Sequence, residues 1–379
     1  MSTRQVLVAR MDNDGDVLLA GPAIRAVAAT ADRVTLLCGP RGFQAATLLP
    51  GVDDIVVHRA EWIDPEPGPF ENEPIRRLLL EVARRAPDEA MILTSWHQSP
   101  LPLALLLRLA GVPRIGATSD DYPGSLLDVR HRIDDDVHEV ERSLSLAAAM
   151  GHELPEHDDG ALRVSQLDGT AAAAARPFAP GTPYVVVHPG ASVPARAWAP
   201  ARHAELVGAL VASGWQVAVT GAPGERDLTA RVAAGGITAG LARAHSRVRD
   251  LGGATDLAQL AAVIAGAAAI VVGNTGPAHL AAAVGTPVVS LYAPTVPAVR
   301  WRPWRVPHAL LHADHAACAG CRGRECTVPG HPCIDQLPLA KVLDAVERLA
   351  TPAAADAAEP SPSMPVVRPA PAHEEPAAA

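Results

Sequence analysis

Short apolar runs recur along most of the chain, separated by longer stretches in which apolar residues fall three or four positions apart. The runs Gln5–Ala9, Arg33–Leu37, Asp54–Val57 and Ala90–Thr94 are rich in Val, Ile and Leu and predict strands. Between and after them, Val17–Thr30, Pro74–Arg85 and Pro100–Ala110 predict helices, and Arg132–Met150 a longer amphipathic one. A strand that is apolar on both faces has to be covered on both, which is the situation of a parallel sheet between helices. Around Gly151–Pro183 the pattern fails, and acidic residues, the Ala171–Ala175 run, prolines and glycines predict a linker. The alternation then restarts. Strands are expected at Tyr184–Val187, Gln216–Thr220, Ala269–Val272 and Val288–Tyr292, with helices at Pro200–Ala212, Glu225–Ala234, Leu257–Ala265 and Pro277–Val284.

The expected organisation is α/β, with one doubly wound, Rossmann-like domain over 1–150, a linker over 151–182 and a second such domain over 183–350. A Pro/Ala-rich tail over 351–379, with seven prolines and no aromatic residue, cannot bury enough apolar surface to fold and is expected to be disordered. Two open sheets in tandem leave a cleft between them, and ligands bind beyond the carboxyl ends of the strands. A length of 379 residues is ample for two cores. Only 3% of the residues are aromatic, so those cores are filled by Ala, Val, Leu and Ile.

Charge and composition remove several classes of function. A net charge of −9 argues against a general nucleic-acid binder, which needs a basic surface to neutralise phosphates. Lys341 is the only lysine, so an anion site must use Arg, His, hydroxyls or backbone N–H groups. The first residues contain no long apolar stretch, and a cytoplasmic protein is expected. The most apolar region, Leu257–Pro294, is interrupted by Asn274, Pro277, His279 and Pro287 and does not read as a membrane span.

Three strand-end loops carry candidate chemistry. The first, Arg10–Leu19, has a single glycine, Gly15, and so lacks the G-x-G-x-x-G of a dinucleotide site. Its alternate aspartates Asp12, Asp14 and Asp16 suggest a calcium loop, but Val17 and Ala23 stand where that loop needs glycine and glutamate. Asp16 then reads either as a helix cap or as a carboxylate aimed into the cleft. In the second loop, His188–Trp198, small residues Gly190 and Ala191 let a phosphate approach the backbone. Ser192 adds a hydroxyl and Arg196 a permanently charged fork. The alternative is an irregular loop with a solvated arginine. In the third, Val271–Leu280, an apolar strand runs into Asn274-Thr275-Gly276. Pro277 opens a helix whose free N–H groups suit an anion, with His279 one turn in. The alternative here is an ordinary Asn/Thr cap beside a satisfied histidine.

Together these loops resemble glycosyltransferase family 9, the ADP-heptose:lipopolysaccharide heptosyltransferases. The resemblance rests on Gly-Asp-Val-Leu-Leu-Ala-Gly-Pro-Ala-Ile-Arg at Gly15–Arg25, His-Pro-Gly-Ala-Ser with Arg-Ala-Trp at His188–Trp198, Val-Thr-Gly-Ala-Pro-Gly-Glu at Val219–Glu225, and the block Val271–Pro287. It spans roughly Val6 to Leu337. It implies the GT-B fold, with both Rossmann-like domains facing a central cleft, and inverting transfer that requires no cofactor. The implied partners are a nucleotide-sugar donor and a glycan, glycolipid or small-molecule acceptor, with peripheral contact to the inner membrane face through the acceptor. Asp16 matches the proposed general base. Ser192 and Arg196 match the diphosphate contacts, where the family often has Thr and Lys. Glu225 matches an acid near the nucleoside, and Asn274, Thr275, Gly276 and His279 match the donor-sugar and phosphate loop. The family often has Asp where this chain has Asn274, so the donor sugar itself is left open.

Four of the five cysteines, Cys318, Cys321, Cys326 and Cys333, fall in a segment, 312–333, that also holds His312, His315 and His331. Four thiols so close together suggest a structural zinc site, with an iron–sulfur cluster or packed free thiols as alternatives. Two other functions suit the same fold: a nucleotide-sugar epimerase or hydrolase, and a nucleotide-sugar-binding protein without catalysis. A carboxylate at Asp16 facing the phosphate loops separates transfer from pure binding, because a binder gains nothing from it.

Overall fold

The computed structural model describes residues 3–350 except 65, 135, 168, 239–243 and 314–318. The tail expected over 351–379 lies outside the described residues. The first sheet comprises β1 (Gln5–Arg10), β2 (Arg33–Cys38), β3 (Asp54–Val57), β4 (Glu89–Leu93), β5 (Ile115–Thr118) and β6 (Val129–His131). The second comprises β7 (Tyr184–His188), β8 (Gln216–Gly221), β9 (Val248–Gly252), β10 (Ala269–Gly273), β11 (Val288–Leu291) and β12 (His308–Leu311). The strand orders are β3-β2-β1-β4-β5-β6 and β12-β11-β10-β7-β8-β9, and every pairing is parallel. The second order is the first read from its other edge. In each sheet the first and fourth strands are neighbours and the chain winds outward from them in opposite directions. The loops after β1, β4, β7 and β10 therefore open at the two points where a doubly wound sheet leaves a crevice.

The sheets stack through three apolar cores. The outermost lies under the helices Asn72–Arg85 and Leu101–Leu109, with Leu78, Val82, Leu103 and Leu107 against Leu7, Ala9 and Ile92. On the far side of the second sheet, Leu206, Val207, Leu210 and Val346 cover Val185, Val217 and Val271. The middle core is shared: Val6, Val8 and Leu36 of the first sheet and Val186, Ile270 and Val272 of the second belong to one apolar cluster with Leu18, Val140, Ala278 and Leu280. Each fully buried Val or Leu contributes about 1.5–3 kcal/mol, so this shared layer is a substantial bond between the two halves. The result is the GT-B arrangement, two Rossmann-like units face to face.

Polar contacts pin the halves as well. The Trp304 indole donates to the carbonyl of Gly160 at 2.9 Å, and the His138 ring stacks on Trp304 with centroids 4.4 Å apart. His138 Nε2 lies 2.9 Å from the carbonyl oxygen of Arg302, and burial pushes this imidazole down to about 3, so it is neutral. Residues 151–167 carry no helix or strand but are tied down, while the stretch expected as a linker over 151–182 also contains a short helix, Gly169–Ala174. Arg25 donates to both carboxylate oxygens of Asp158 at 2.7 and 2.9 Å and to the carbonyl of Ala161, which holds Asp158 near 2.

Several elements depart from the sequence expectation. The helix expected over Val17–Thr30 is two, Asp14–Leu19 and Gly21–Ala28, because Pro22 has no N–H to continue the ladder. The helix expected from Arg132 starts at Glu139. The ring nitrogen of His138 accepts from the N–H of Val140, and the Glu141 carboxylate accepts from the N–H of His138, a reciprocal cap that fixes the start. Strands β6, β9 and β12 went unpredicted because they lie at sheet edges and are half exposed or polar, and β5 because Ile-Gly-Ala-Thr is too short and small to stand out. Among the described residues, no helix is long and apolar enough to cross a membrane.

Candidate active site

β1 ends in Arg10, one of the largest fully buried side chains of the protein. Its guanidinium is surrounded by carboxylates. Nε lies 2.9 Å from Asp12, Nη2 donates to Asp16 at 3.0 Å and to the Ser95 hydroxyl at 2.9 Å, and Nη1 lies 3.5 Å from Glu139. Asp12 also accepts from Gln98, on the same loop as Ser95. Burial pushes the carboxyls of Asp12 and Glu139 up from their ordinary range. The three loop aspartates have separate fates. Asp12 is enclosed, and Asp14 accepts from the N–H of Ala45 at 2.9 Å. Asp16 is the open one: its side chain is 23% exposed, against 9% for Asp12 and 2% for Glu139. Asn13, not Asp16, is the cap position of the helix Asp14–Leu19; Asp16 lies inside its first turn, where a carboxylate favours the helix dipole. Beside this wall, a small cleft is lined by Asp12, Asn13, Arg41, Arg59, Ile63 and Asp64 among others.

The facing wall comes from the second sheet. β7 delivers His188, whose Nδ1 lies 2.9 Å from the Thr220 hydroxyl. Glu225 packs directly on the Gly190 backbone, where a Cβ would fall 2.2 Å from one of its carboxylate oxygens. Glu225 also accepts from the N–H of Ala222 at 2.7 Å. Ser192 is exposed on the same loop. Arg196 ends a short 3₁₀ turn, Pro194–Arg196, half-buried and within electrostatic reach of Asp16 and Tyr292 across the gap. Burial lowers the pKa of its guanidinium.

β10 delivers the third loop. Asn274 is buried, Thr275 occupies the cap position of the helix Gly276–Ala283 without making a cap hydrogen bond, and His279 is buried one turn in. Burial pushes His279 down to about 4, so its ring is neutral. The satisfied-cap alternative fails for this loop. Thr275 Oγ1 and His279 Nδ1 are buried without a hydrogen-bond partner among the described residues, as are Arg196 Nε, Ser290 Oγ and Thr295 Oγ1. A buried polar atom left unpaired costs about 1–3 kcal/mol. Several of them at the carboxyl ends of adjacent strands form a surface built to hydrogen-bond something else.

The two walls touch at glycine. A Cβ on Gly15 would lie 2.9 Å from Gly276 Cα and 3.2 Å from His279 Cδ2, so only a residue without a side chain fits. A second bridge is Trp96, after β4, with the guanidiniums of Arg300 and Arg322 4.5 and 4.1 Å from its ring centroid. The sequence reading missed Arg10, Ser95, Trp96, Gln98 and Glu139. The signal that would have found the β4 loop is positional, since a doubly wound order puts the fourth strand beside the first.

Cys333 is buried with Ile334 and Leu337 in the outer core of the second sheet, whereas Cys321 and Cys326 are exposed. Cys318 and His315 lie outside the described residues, and among those that are described no group of three His, Cys, Asp or Glu is disposed to hold a metal. Spacing along the chain did not reveal that Cys333 turns inward. The segment also braces the arginine loop: Ala195 N–H donates to the carbonyl of Arg324 at 2.9 Å, and His331 Nε2 lies 3.1 Å from the carbonyl of Ala195.

The chain is 34% identical over 194 residues to lipopolysaccharide heptosyltransferase 1 of Pseudomonas aeruginosa, covering 50% of this chain and 49% of that protein. It is 29% identical over 241 residues to lipopolysaccharide heptosyltransferase 2 of Escherichia coli K12, covering 59% and 64%. The aligned part thus spans about half to two-thirds of these curated relatives. In fold it is similar to E. coli ADP-heptose lps heptosyltransferase II, with a TM-score of 0.71 at 20% identity over 92% of this chain and 98% of that one. Residues 95–331 match the sequence pattern described as glycosyltransferase family 9 (heptosyltransferase), a match over well more than half of the chain that takes in Arg196, Asn274–Gly276 and His279, and the chain belongs to that family.

Proposed function

We propose that the chain is an inverting, metal-independent glycosyltransferase that moves a heptose or related sugar from an ADP- or similarly activated nucleotide donor to an acceptor hydroxyl. The observation that carries this reading is the pairing of an open carboxylate, Asp16, with a facing wall of unpaired hydrogen-bonding atoms at Arg196, Thr275 and His279. Inverting transfer is one displacement at the anomeric carbon, with a base for the incoming hydroxyl and stabilisation of the departing diphosphate on the opposite side. Asp16 takes the proton. Arg196, Ser192 and the helix start at Thr275–Gly276 meet the charge of the leaving group, and Glu225 faces the nucleoside. Neutral His279 donates or accepts a hydrogen bond without adding charge. The first unit, over 1–150, holds the acceptor and the second, over 183–350, the donor. A glycan, glycolipid or small molecule is the acceptor, with cytoplasmic location and contact with the membrane face through it. Asn274, an amide rather than a carboxylate, sets donor choice.

Thermal stabilisation by ADP-, GDP-, UDP- and dTDP-linked sugars tests the reading. ADP-heptose is expected to stabilise most and to support transfer to a heptose-free lipopolysaccharide core, in line with the relatives named above. Indifference to all four donors would sink it.

For the cysteine segment we infer one structural zinc held by the thiols of Cys318, Cys321, Cys326 and Cys333, apart from the chemistry. Elemental analysis, with iron measured beside zinc, should find about one equivalent. A chelator should lower thermal stability, because binding energy is folding energy for the loop, while transfer persists. Metal-free protein with all thiols readily alkylated would overturn the site. Activity lost on chelation and restored by magnesium would overturn the metal-free mechanism instead.

A further inference from the structure

We propose that Arg10 is a positioning residue for Asp16, holding its carboxylate in one orientation; this rests on the reading of Asp16 as the base. A buried guanidinium costs several kcal/mol unless charge and hydrogen bonds meet it. Here three crowd around it, at 2.9, 3.0 and 3.5 Å, from Asp12, Asp16 and Glu139. Three negative charges about one cation repel each other, which a purely structural ion pair has no reason to tolerate. The three are unequal. Asp12 and Glu139 are enclosed, and burial pushes their carboxyls up. Asp16, the most exposed, sits on Nη2 beside Ser95.

The planar fork makes this geometry rigid. Nε faces Asp12, Nη1 faces Glu139, and Nη2 is shared by Asp16 and Ser95, so Arg10 cannot turn toward one partner without losing another. β1, the loop after β4 and the helix Glu139–Ala149 thus all fix the position of one oxygen of Asp16. The charged and titratable groups around the cluster are Asp12 on its own loop, His97 after β4, Glu139 and Arg142 on the helix, and Arg196 and His279 from the second sheet. Arg10 is the one cation that hydrogen-bonds Asp16 among the described residues.

The test is the split between kcat and KM with ADP-heptose and a heptose-free lipopolysaccharide core. Arg10→Met should lower kcat by about 10- to 10³-fold, with KM for the donor little changed. Arg10→Lys keeps the charge but not the fork. Its kcat should fall about tenfold, and this variant decides the matter if Arg10→Met does not fold. A wild-type kcat in Arg10→Lys would overturn the positioning role, as would a loss in Arg10→Met that appears in KM for the donor and not in kcat. Asp16→Asn is measured in parallel. If that variant is active, the parent reading falls and this one with it; if it is inactive while the Arg10 variants behave as wild type, only the present inference fails.

Discussion

Asp16→Asn should lower sugar transfer by about 10²–10⁴, the range for loss of a general base, and leave fold and donor affinity nearly unchanged. The structure gives reasons for both halves of that expectation. Asp16 does not cap its helix, and its backbone carbonyl still accepts from the N–H of Ala20 whatever the side chain. An asparagine oxygen can accept from Arg10 Nη2 as the carboxylate does, so the buried guanidinium is not stranded. What disappears is the capacity to take a proton from an incoming hydroxyl. The measurement pairs initial rates with calorimetric donor affinity. Turnover within a few-fold of wild type would remove Asp16 from the mechanism, and a parallel loss of donor affinity would show that its role lies in binding.

Arg196→Ala should weaken the nucleotide sugar and the free nucleoside diphosphate together, by about 1.5–3 kcal/mol for a lost charged hydrogen bond, or roughly 10- to 100-fold in Kd. The side chain stands at the end of a short turn, and its Nε has no partner among the described residues. Removing it therefore breaks no internal hydrogen bond at that atom, and the effect should appear in binding more than in stability. Parallel losses for diphosphate and donor place the contact on the phosphates. A loss confined to the sugar nucleotide would move Arg196 to the sugar, and unchanged diphosphate affinity would mean the phosphate loop has been misassigned.

Much of this was legible in the sequence, for identifiable reasons. Buried parallel strands are uniformly apolar, so β1, β2, β4, β7, β8, β10 and β11 announced themselves. Loops that must leave space for a phosphate need glycine and proline, so 188–198 and 271–280 were conspicuous. The loop after β4 had no such mark: Ser95-Trp96-His97-Gln98 reads as ordinary polar sequence, and only its place beside β1 gives it meaning. The partnership of Arg10 with Glu139 spans 129 positions, and nothing local in the chain joins them. Edge strands such as β9, with Arg249 and Asp250 in the open, look like loop because one side of them is wet. For the cysteines, spacing said that the thiols are near in sequence and nothing about which way each one turns.

The walls of the cleft share one topology yet carry opposite polarity. At the first switch point the chain gathers Asp12, Asp16 and Glu139 around a single buried cation. At the second it offers Arg196, a neutral His279 and the N-terminal end of a helix. The gap between them works as an electrically keyed slot. A molecule with a dianion at one end and neutral hydroxyls at the other fits in one direction, and turned around it would press its phosphates against carboxylates that already repel each other. Under the proposed function, the orientation of the donor is decided as it enters, by sign, before any contact reads the sugar.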